Sequence, residues 1–172
     1  MSTYSILTRL QANWQEIPGV ARAILLEPSQ GIELADLPCV YPVNAGPMTF
    51  AVPSTSASFS IPIGAGQYVV ERRYTYRLLI AQATSASVDS GDLGAVVNEE
   101  AALIIDAPID YFMSHPRLNT ATLGDVAQLV KDVTIQDGGI TARQDPAGTW
   151  HICAEYTLTI AERRKPSPQR LS

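Results

Sequence analysis

The stretch YVVERRYTYRLLI, residues Tyr68–Ile80, decides the fold of this chain. Hydrophobic and polar side chains alternate along it, which is typical of a β-strand with one buried face and one solvent face. Arg72 interrupts the apolar side. The stretch would reach about 40 Å, whereas ordinary strands have about 5–6 residues, so it predicts either a strand that projects beyond one core or two strands joined at a bulge. The apolar set is Tyr68, Val70, Tyr74, Tyr76, Leu78 and Ile80, and the other set is Val69, Glu71, Arg73, Thr75 and Arg77.

The composition suits one compact domain and argues against two classes of function. The chain has 172 residues, 46% of them hydrophobic, which is enough for one sizeable core. Its net charge is −5, so it lacks the broad positive surface of a general nucleic-acid binder. No apolar run approaches the ~20 residues of a membrane span, and no signal peptide is expected. Cys39 and Cys153 are expected to be the free thiols of a cytosolic protein.

The segments before Tyr68 predict a helix, a strand and a long arm. The helix ends at Pro18-Gly19, and Val20–Leu26 predicts a strand. Pro28–Gly66 contains six prolines, which exclude long helices, and only Leu37–Tyr41 and Thr49–Val52 are expected to form short edge strands. We expect the rest to be an extended loop or arm that docks on a partner, is mobile in the free protein, or orders on binding. The apolar stripe of the helix is Ile6, Leu7, Leu10 and Trp14.

The segments after Ile80 predict one helix and several strands. Asn98–Met113 reads as a helix that kinks or breaks at Pro108. Val133–Ile135 and Ile140–Arg143 are expected to be two strands joined by a turn at Asp137-Gly138-Gly139. A second turn, Asp145–Gly148, precedes the alternating strand Trp150–Ala161, and Glu162–Ser172 is expected to be a loose tail.

Together these elements predict an α+β fold in a single domain, residues 1–172, with a mixed but mostly antiparallel β-sheet. Helices are expected on one face of the sheet, and residues 28–66 form the proline-rich arm. The inward side chains of the two long strands are expected to be Tyr74, Tyr76, Leu78, Tyr156, Leu158 and Ile160. The side chains packed over them are expected to be Leu7, Leu10, Leu103 and Ile104.

No segment carries a recognisable catalytic, metal or cofactor motif. His115 follows a helix, and His151 is expected on the polar face of a strand, neither with a cysteine or carboxylate at metal-ligand spacing. Cys39 with a histidine is a weak candidate for a thiol nucleophile, because no supporting motif surrounds it. We therefore predict a protein that is not an enzyme and that has no cofactor.

The order of the elements resembles that of the tail terminator, or tail completion, proteins of long-tailed bacteriophages. The resemblance rests on RRYTYRLLI at residues 72–80, on HPRL at 115–118 after the helix, and on the closing strand WHICAEYTLTIAERR at 150–164. It implies a mixed sheet with helices on one face and a homo-hexameric ring. That ring would cap the tail tube, stop its growth and offer a docking face to the head–tail connector. It also implies a virion protein of the tail or neck, assembled in the host cytoplasm, with DNA passing through the lumen without specific binding.

We expect the contact between subunits to involve the long strand and the arm. Acidic residues of the next subunit, such as Glu71, Asp89 or Asp92, could meet the arginines there. The alternatives are a neck adaptor or stopper, a tail tube subunit, or a small β-rich binding module built on Tyr68, Tyr74, Tyr76 and Tyr156. The predicted interface residues are Glu71, Arg72, Arg73, Arg77, Phe50 and Phe59.

Overall fold

The fold is built on three antiparallel strands of 15 residues each. The structure is a computed structural model that describes residues 3–43, 55–59, 68–89, 99–118 and 130–164. The long strands are β4 (Tyr68–Gln82), β5 (Val130–Gln144) and β6 (Trp150–Arg164). The short strands are β1 (Arg22–Ala23), β2 (Cys39–Pro42) and β3 (Thr55–Phe59), and the helices are α1 (Thr3–Glu16), α2 (Ser85–Asp89) and α3 (Glu99–Ser114).

The six described strands form one mixed sheet in the order β1-β2-β4-β6-β5, with β3 also paired to β4. Only the short β1–β2 pair is parallel. β4 pairs with β6 from Tyr68 to Gln82, with an irregularity between Leu79 and Ala81 that does not end the strand. The alternation read from Tyr68–Ile80 therefore belongs to one continuous strand.

The two long helices, α1 and α3, pack on the same face of this sheet. Trp14 of α1 is fully buried and lies 5.3 Å from the ring of Tyr76 and 5.2 Å from that of Phe112 in α3. All six side chains predicted to face inward on β4 and β6 belong to this core, as do Leu7 and Leu10. The predicted α+β fold, with a mixed sheet and helices on one face, is confirmed.

Helix α3 is not broken at Pro108, which was one of the two outcomes expected there. It continues through Pro108, which is itself buried, because the apolar residues on both sides of the proline pack on the sheet. Leu103 is 68% exposed, whereas Ile104 packs against the core, so the predicted place of Leu103 was wrong. The face that α3 buries carries Ala101, Ile105, Pro108 and Phe112.

The predicted strand–turn–strand at residues 133–143 is one strand, β5. The glycines make a bulge instead of a reversal, since the register with β6 shifts between Asp137 and Ile140. Gly139 has φ +88°, and its N–H donates to the Asp137 carboxylate at 2.7 Å. The reversal comes at Asp145–Gly148, where the second turn was predicted.

The second face of the sheet is covered at the hairpin end. Ile32, Ile24 and Leu37 pack there over a buried cluster on β2, β4 and β6. The segment that covers it lies within the stretch predicted to be a strand and an arm, and only Arg22–Ala23 of Val20–Leu26 is a strand. The buried cluster is Cys39, Tyr41, Leu79 and Cys153.

Strands β2 and β3 follow one another along the same edge of β4. Pro42 pairs with Tyr76, the N–H of Val43 donates to the carbonyl of Thr75, and Thr55 pairs with Tyr74. Val43 and Thr55 therefore occupy successive positions along β4. Cys39–Pro42 is buried, so this part of the predicted arm is a core element. Thr49–Val52 lies outside the described residues.

Two predicted boundaries also change at the end of the chain. Glu162, Ala161 and Ile160 all pair with β5 or β4, and the strand runs to Arg164. The expected loose tail therefore begins no earlier than residue 165, where the described residues end.

Candidate assembly surface

Among the described strands, β5 has the longest edge with which no other described strand pairs. In the part of the chain that the structure describes, β5 pairs only with β6, over residues Val130–Gln144. Its other edge presents backbone N–H and C=O groups that another strand can pair with, and the bulge at Gly138–Gly139 divides this edge in two.

The opposite side of the sheet has a second, shorter edge at β3. Thr55–Phe59 pairs with Tyr74–Val70 of β4, and no further described strand pairs with β3. The segment contains no charged residue, so backbone pairing there meets no charge repulsion. The two edges are different surfaces of one subunit, as a head-to-tail contact requires.

Away from the hairpin end, the second sheet face is polar and open. Residues that pair across β5, β6 and β4 form rows on this face, and one row consists of Gln136, Thr157 and Thr75. The next row joins Thr134, Thr159 and Arg73. Glu71, Arg73, Thr134 and Gln136 are exposed, so the predicted interface residues Glu71 and Arg73 do lie on a solvent-facing surface.

Arg77 lies on this face but has partners within its own chain. Its Nη2 and Nε donate to Glu155 Oε1 at 2.8 and 3.1 Å, and its Nη1 lies 3.5 Å from the hydroxyl of Tyr41. Burial alone would lower the pKa of Arg77, but these hydrogen bonds outweigh it and raise that pKa. Arg143 approaches the same carboxylate oxygen at 3.7 Å. Arg77 therefore anchors β4 to β6.

Arg72 does not lie on the polar face. It shares the face of Tyr74, where its Nε is 3.5 Å from Glu162 Oε1, and both side chains are largely buried. The sequence showed that Arg72 interrupts the apolar side of the strand, and the buried Glu162 is the compensating charge. Phe50 and Asp92 lie outside the described residues, and for Phe59 the structure describes the strand pairing but not the side chain.

Asp145 is a polar hub that sequence reasoning missed. Its Oδ1 accepts hydrogen bonds from the N–H groups of Ala147 and Thr149, both at 2.9 Å. Its Oδ2 accepts from the N–H of Ile32 at 3.0 Å and lies 3.1 Å from His151 Nε2. Contrary to prediction, His151 has a carboxylate beside it and is fully buried. The signal in the sequence was the Asp-Pro-Ala-Gly turn, in which aspartate commonly bonds the following backbone.

This hub holds together three parts of the fold, the ends of β5 and β6 and the covering segment near Ile32. Burial alone would raise the pKa of Asp145, but the hydrogen bonds from Ile32, Thr149, His151 and Ala147 outweigh it and lower that pKa. These contacts fix the backbone of the turn and hold the covering segment on the sheet. They use both oxygens of the Asp145 carboxylate.

The two cysteines are free thiols, and both are buried in the sheet. Cys39 is registered with Leu79, and Leu79 with Cys153, so the two sulfurs lie on strands separated by β4. Cα atoms two strands apart are about 9.6 Å from each other, too far for a disulfide without backbone movement. Burial raises the pKa of Cys39 to about 11 and raises that of Cys153, so neither is poised as a nucleophile.

The remaining candidate residues do not converge on a site. His115 stacks on Tyr111 at 4.2 Å and its Nδ1 lies 2.9 Å from the carbonyl of that residue, at the end of α3. Among the described residues, no group of three or more histidine, cysteine or acidic side chains is placed to hold a metal ion. None of the helices in the described ranges is both long and apolar enough to cross a membrane.

Comparison with known proteins adds no family to this picture. No protein-family model matches the chain, and no curated protein sequence matches it.

Proposed function

We propose that this chain is a structural ring protein of a long-tailed bacteriophage, most specifically the tail terminator. The observation that carries the proposal is a pair of dissimilar sheet edges, at β5 and at β3, with which no further strand of the described ranges pairs. A contact between one edge and the other is heterologous, and repeated with a rotation it either closes a ring or grows a filament. The resemblance in element order selects the closed hexamer.

The strand lengths support a contact of useful size. β5 has 15 residues, about 50 Å of edge, so a neighbour can pair on either side of the bulge at Gly138–Gly139. Backbone pairing gives affinity, while side chains on the open face set the register. Glu71 and Arg73 are exposed charges near the β3 edge and suit the second role, each exposed pair contributing about 0–1 kcal/mol.

In this proposal the partners of the ring are the tail tube protein on one side and the head–tail connector on the other. The net charge of −5 suits a channel through which DNA slides without being held. We therefore propose a virion protein of the tail or neck, assembled in the host cytoplasm, that binds no specific DNA sequence and no cofactor.

The alternatives differ in what they predict about assembly. A neck adaptor or stopper also forms a closed ring, but at another level of the particle. A tube subunit shares the open edges and polymerises without limit. The binding-module alternative has lost support, because Tyr74, Tyr76 and Tyr156, on which it relied, are fully or almost fully buried in the core.

The positions of β2 and β3 along β4 suggest a deletion that leaves the paired strands in place. Removing the whole predicted arm would delete both β2 and β3, which pair with β4. Joining Val43 directly to Thr55 removes only residues 44–54, since the two residues occupy neighbouring positions along β4. We expect this variant to keep the fold, so it tests residues 44–54 as an assembly element.

Two measurements test the proposal. Native mass spectrometry and electron microscopy of the purified protein, alone and with tail tubes, should show a closed ring that forms at the tube end. Open polymers of this chain alone would identify a tube subunit. In the phage that encodes the chain, disabling its gene should give overlong tubes or headless tails. Tails of normal length joined to heads would refute the proposal.

A further inference from the structure

The outer face of α3 combines exposed apolar and acidic side chains. Leu103 and Met113 are 68% and 74% exposed, the highest values among the large hydrophobic side chains that the structure describes as exposed. Asp106 and Asp110 lie between them, and the spacing of three, four and three residues puts all four on one side of the helix. We call this set, Leu103, Asp106, Asp110 and Met113, the α3 outer face.

No basic residue within α3 balances this face. The helix of 16 residues contains Glu99, Glu100, Asp106 and Asp110 but no lysine or arginine. None of these four carboxylates forms an ion pair with another residue of the described ranges. A basic partner would therefore gain attraction without first displacing a partner within the chain.

The chain itself contains a segment of matching chemistry. Four of its 12 basic residues, Arg163, Arg164, Lys165 and Arg170, stand in the last ten positions of the sequence, followed by Leu171. Bound in extended form, residues 165–172 would span about 25 Å at ~3.1 Å per residue. The 16 residues of α3 span about 24 Å.

We infer that the α3 outer face binds the basic segment 163–172 of a second copy of this chain. Three of the four basic residues of the segment can reach this face only from another copy. Tyr156 donates its hydroxyl hydrogen to the carbonyl of Ile105, so Tyr156 lies beneath α3. β6 then carries the chain about 26 Å further, to Arg164. Arg163 and Arg164 end this strand and Lys165 directly follows it in the sequence, so the segment as a whole can align with α3 only in a second molecule.

This contact joins successive copies head to tail, as the sheet edges do, and it does not depend on a role in phage tails. The charges give it direction and salt dependence, and Leu103 and Met113 supply the apolar area. It predicts self-association that weakens steeply as added salt shortens the Debye length from about 30 Å at 0.01 M to about 3 Å at 1 M.

Complementary charge reversals in the full chain test the inference. The helix variant is Asp106→Lys/Asp110→Lys, and the segment variant is Lys165→Glu/Arg170→Glu. Sedimentation at low salt should show that each variant alone associates about tenfold or more weakly than the original chain, which corresponds to about 1.4 kcal/mol. An equimolar mixture should recover association, since each helix then meets an oppositely charged segment of the other copy.

The control is Ser29→Lys/Gln30→Lys/Glu33→Lys, which makes the same change in net charge as the helix variant at three exposed positions of the segment near Ile32. It should leave self-association within about twofold of the original, because isolated surface charges contribute little. Equal weakening by the control would show a net-charge effect and overturn the inference. A mixture no stronger than the separate variants would also overturn it, since it would exclude pairing between copies. Circular dichroism of each variant establishes that the fold is retained.

Discussion

Replacing Asp145 with alanine should destabilise the protein strongly, although the residue lies in a turn. The substitution removes four acceptor contacts at 2.9–3.1 Å. It leaves the N–H of Ile32 and the imidazole of His151 buried without that acceptor, which costs about 1–3 kcal/mol each. The turn N–H groups of Ala147 and Thr149 are closer to solvent and can bind water. We expect the free energy of unfolding to fall by about 3–5 kcal/mol.

Asp137→Ala is the matched control for this prediction. Asp137, in β5, likewise accepts a hydrogen bond from the N–H two residues later, that of Gly139, but Asp137 is exposed. Its removal should cost about 0.5–1 kcal/mol. Urea unfolding at pH 7 and at one protein concentration measures the loss of unfolding free energy in each variant. Both curves are analysed with the same dependence of that free energy on urea concentration. If both variants lose the same small amount, Asp145 is an ordinary turn residue and the hub argument is wrong.

The same residue should make stability depend on acid. Because its hydrogen bonds lower the pKa of Asp145 in the folded state below the ordinary value of 3.8, its contribution is fully present above that value. The contribution is lost as pH falls through the lower folded pKa. Asp145→Asn should therefore flatten the part of the pH–stability curve below about pH 4 that Asp145 causes. An unchanged slope in that range would contradict the assignment.

Three further substitutions or reactions test the packing, each with unfolding or labelling as the readout. Leu158→Ala should cost about 2–5 kcal/mol, because Leu158 is fully buried, whereas Leu103→Ala should stay within about 0.5 kcal/mol; similar losses would refute the assignment of faces. Glu162→Ala should cost about 3 kcal/mol, since it removes the carboxylate from a largely buried ion pair with Arg72, and a neutral result would mean that the strand end is loose. Cys39 and Cys153 should resist thiol reagents at pH 8 until the protein unfolds, because burial raises both pKa values, and rapid labelling of the folded protein would contradict their placement.

The sequence alone determined the elements whose periodicity is strong. Alternation in Tyr68–Ile80 and Trp150–Ala161 predicted two long strands and the inward side chains on them, and helical spacing predicted α1 and α3. These predictions hold because a buried face imposes its period on every residue of an element. The α+β class and the antiparallel sheet followed from the order of these elements.

Tertiary structure decided the points where local signals have two outcomes. Asp137-Gly138-Gly139 suits a hairpin turn and a bulge equally well, and pairing with β6 selected the bulge. Pro108 remained in α3 because the helix is buried on both sides of it. Arg72, Arg77 and His151 found their partners 90, 78 and 6 residues away, in Glu162, Glu155 and Asp145. No local pattern encodes such pairs, because they depend on strand register, which only the assembled sheet fixes.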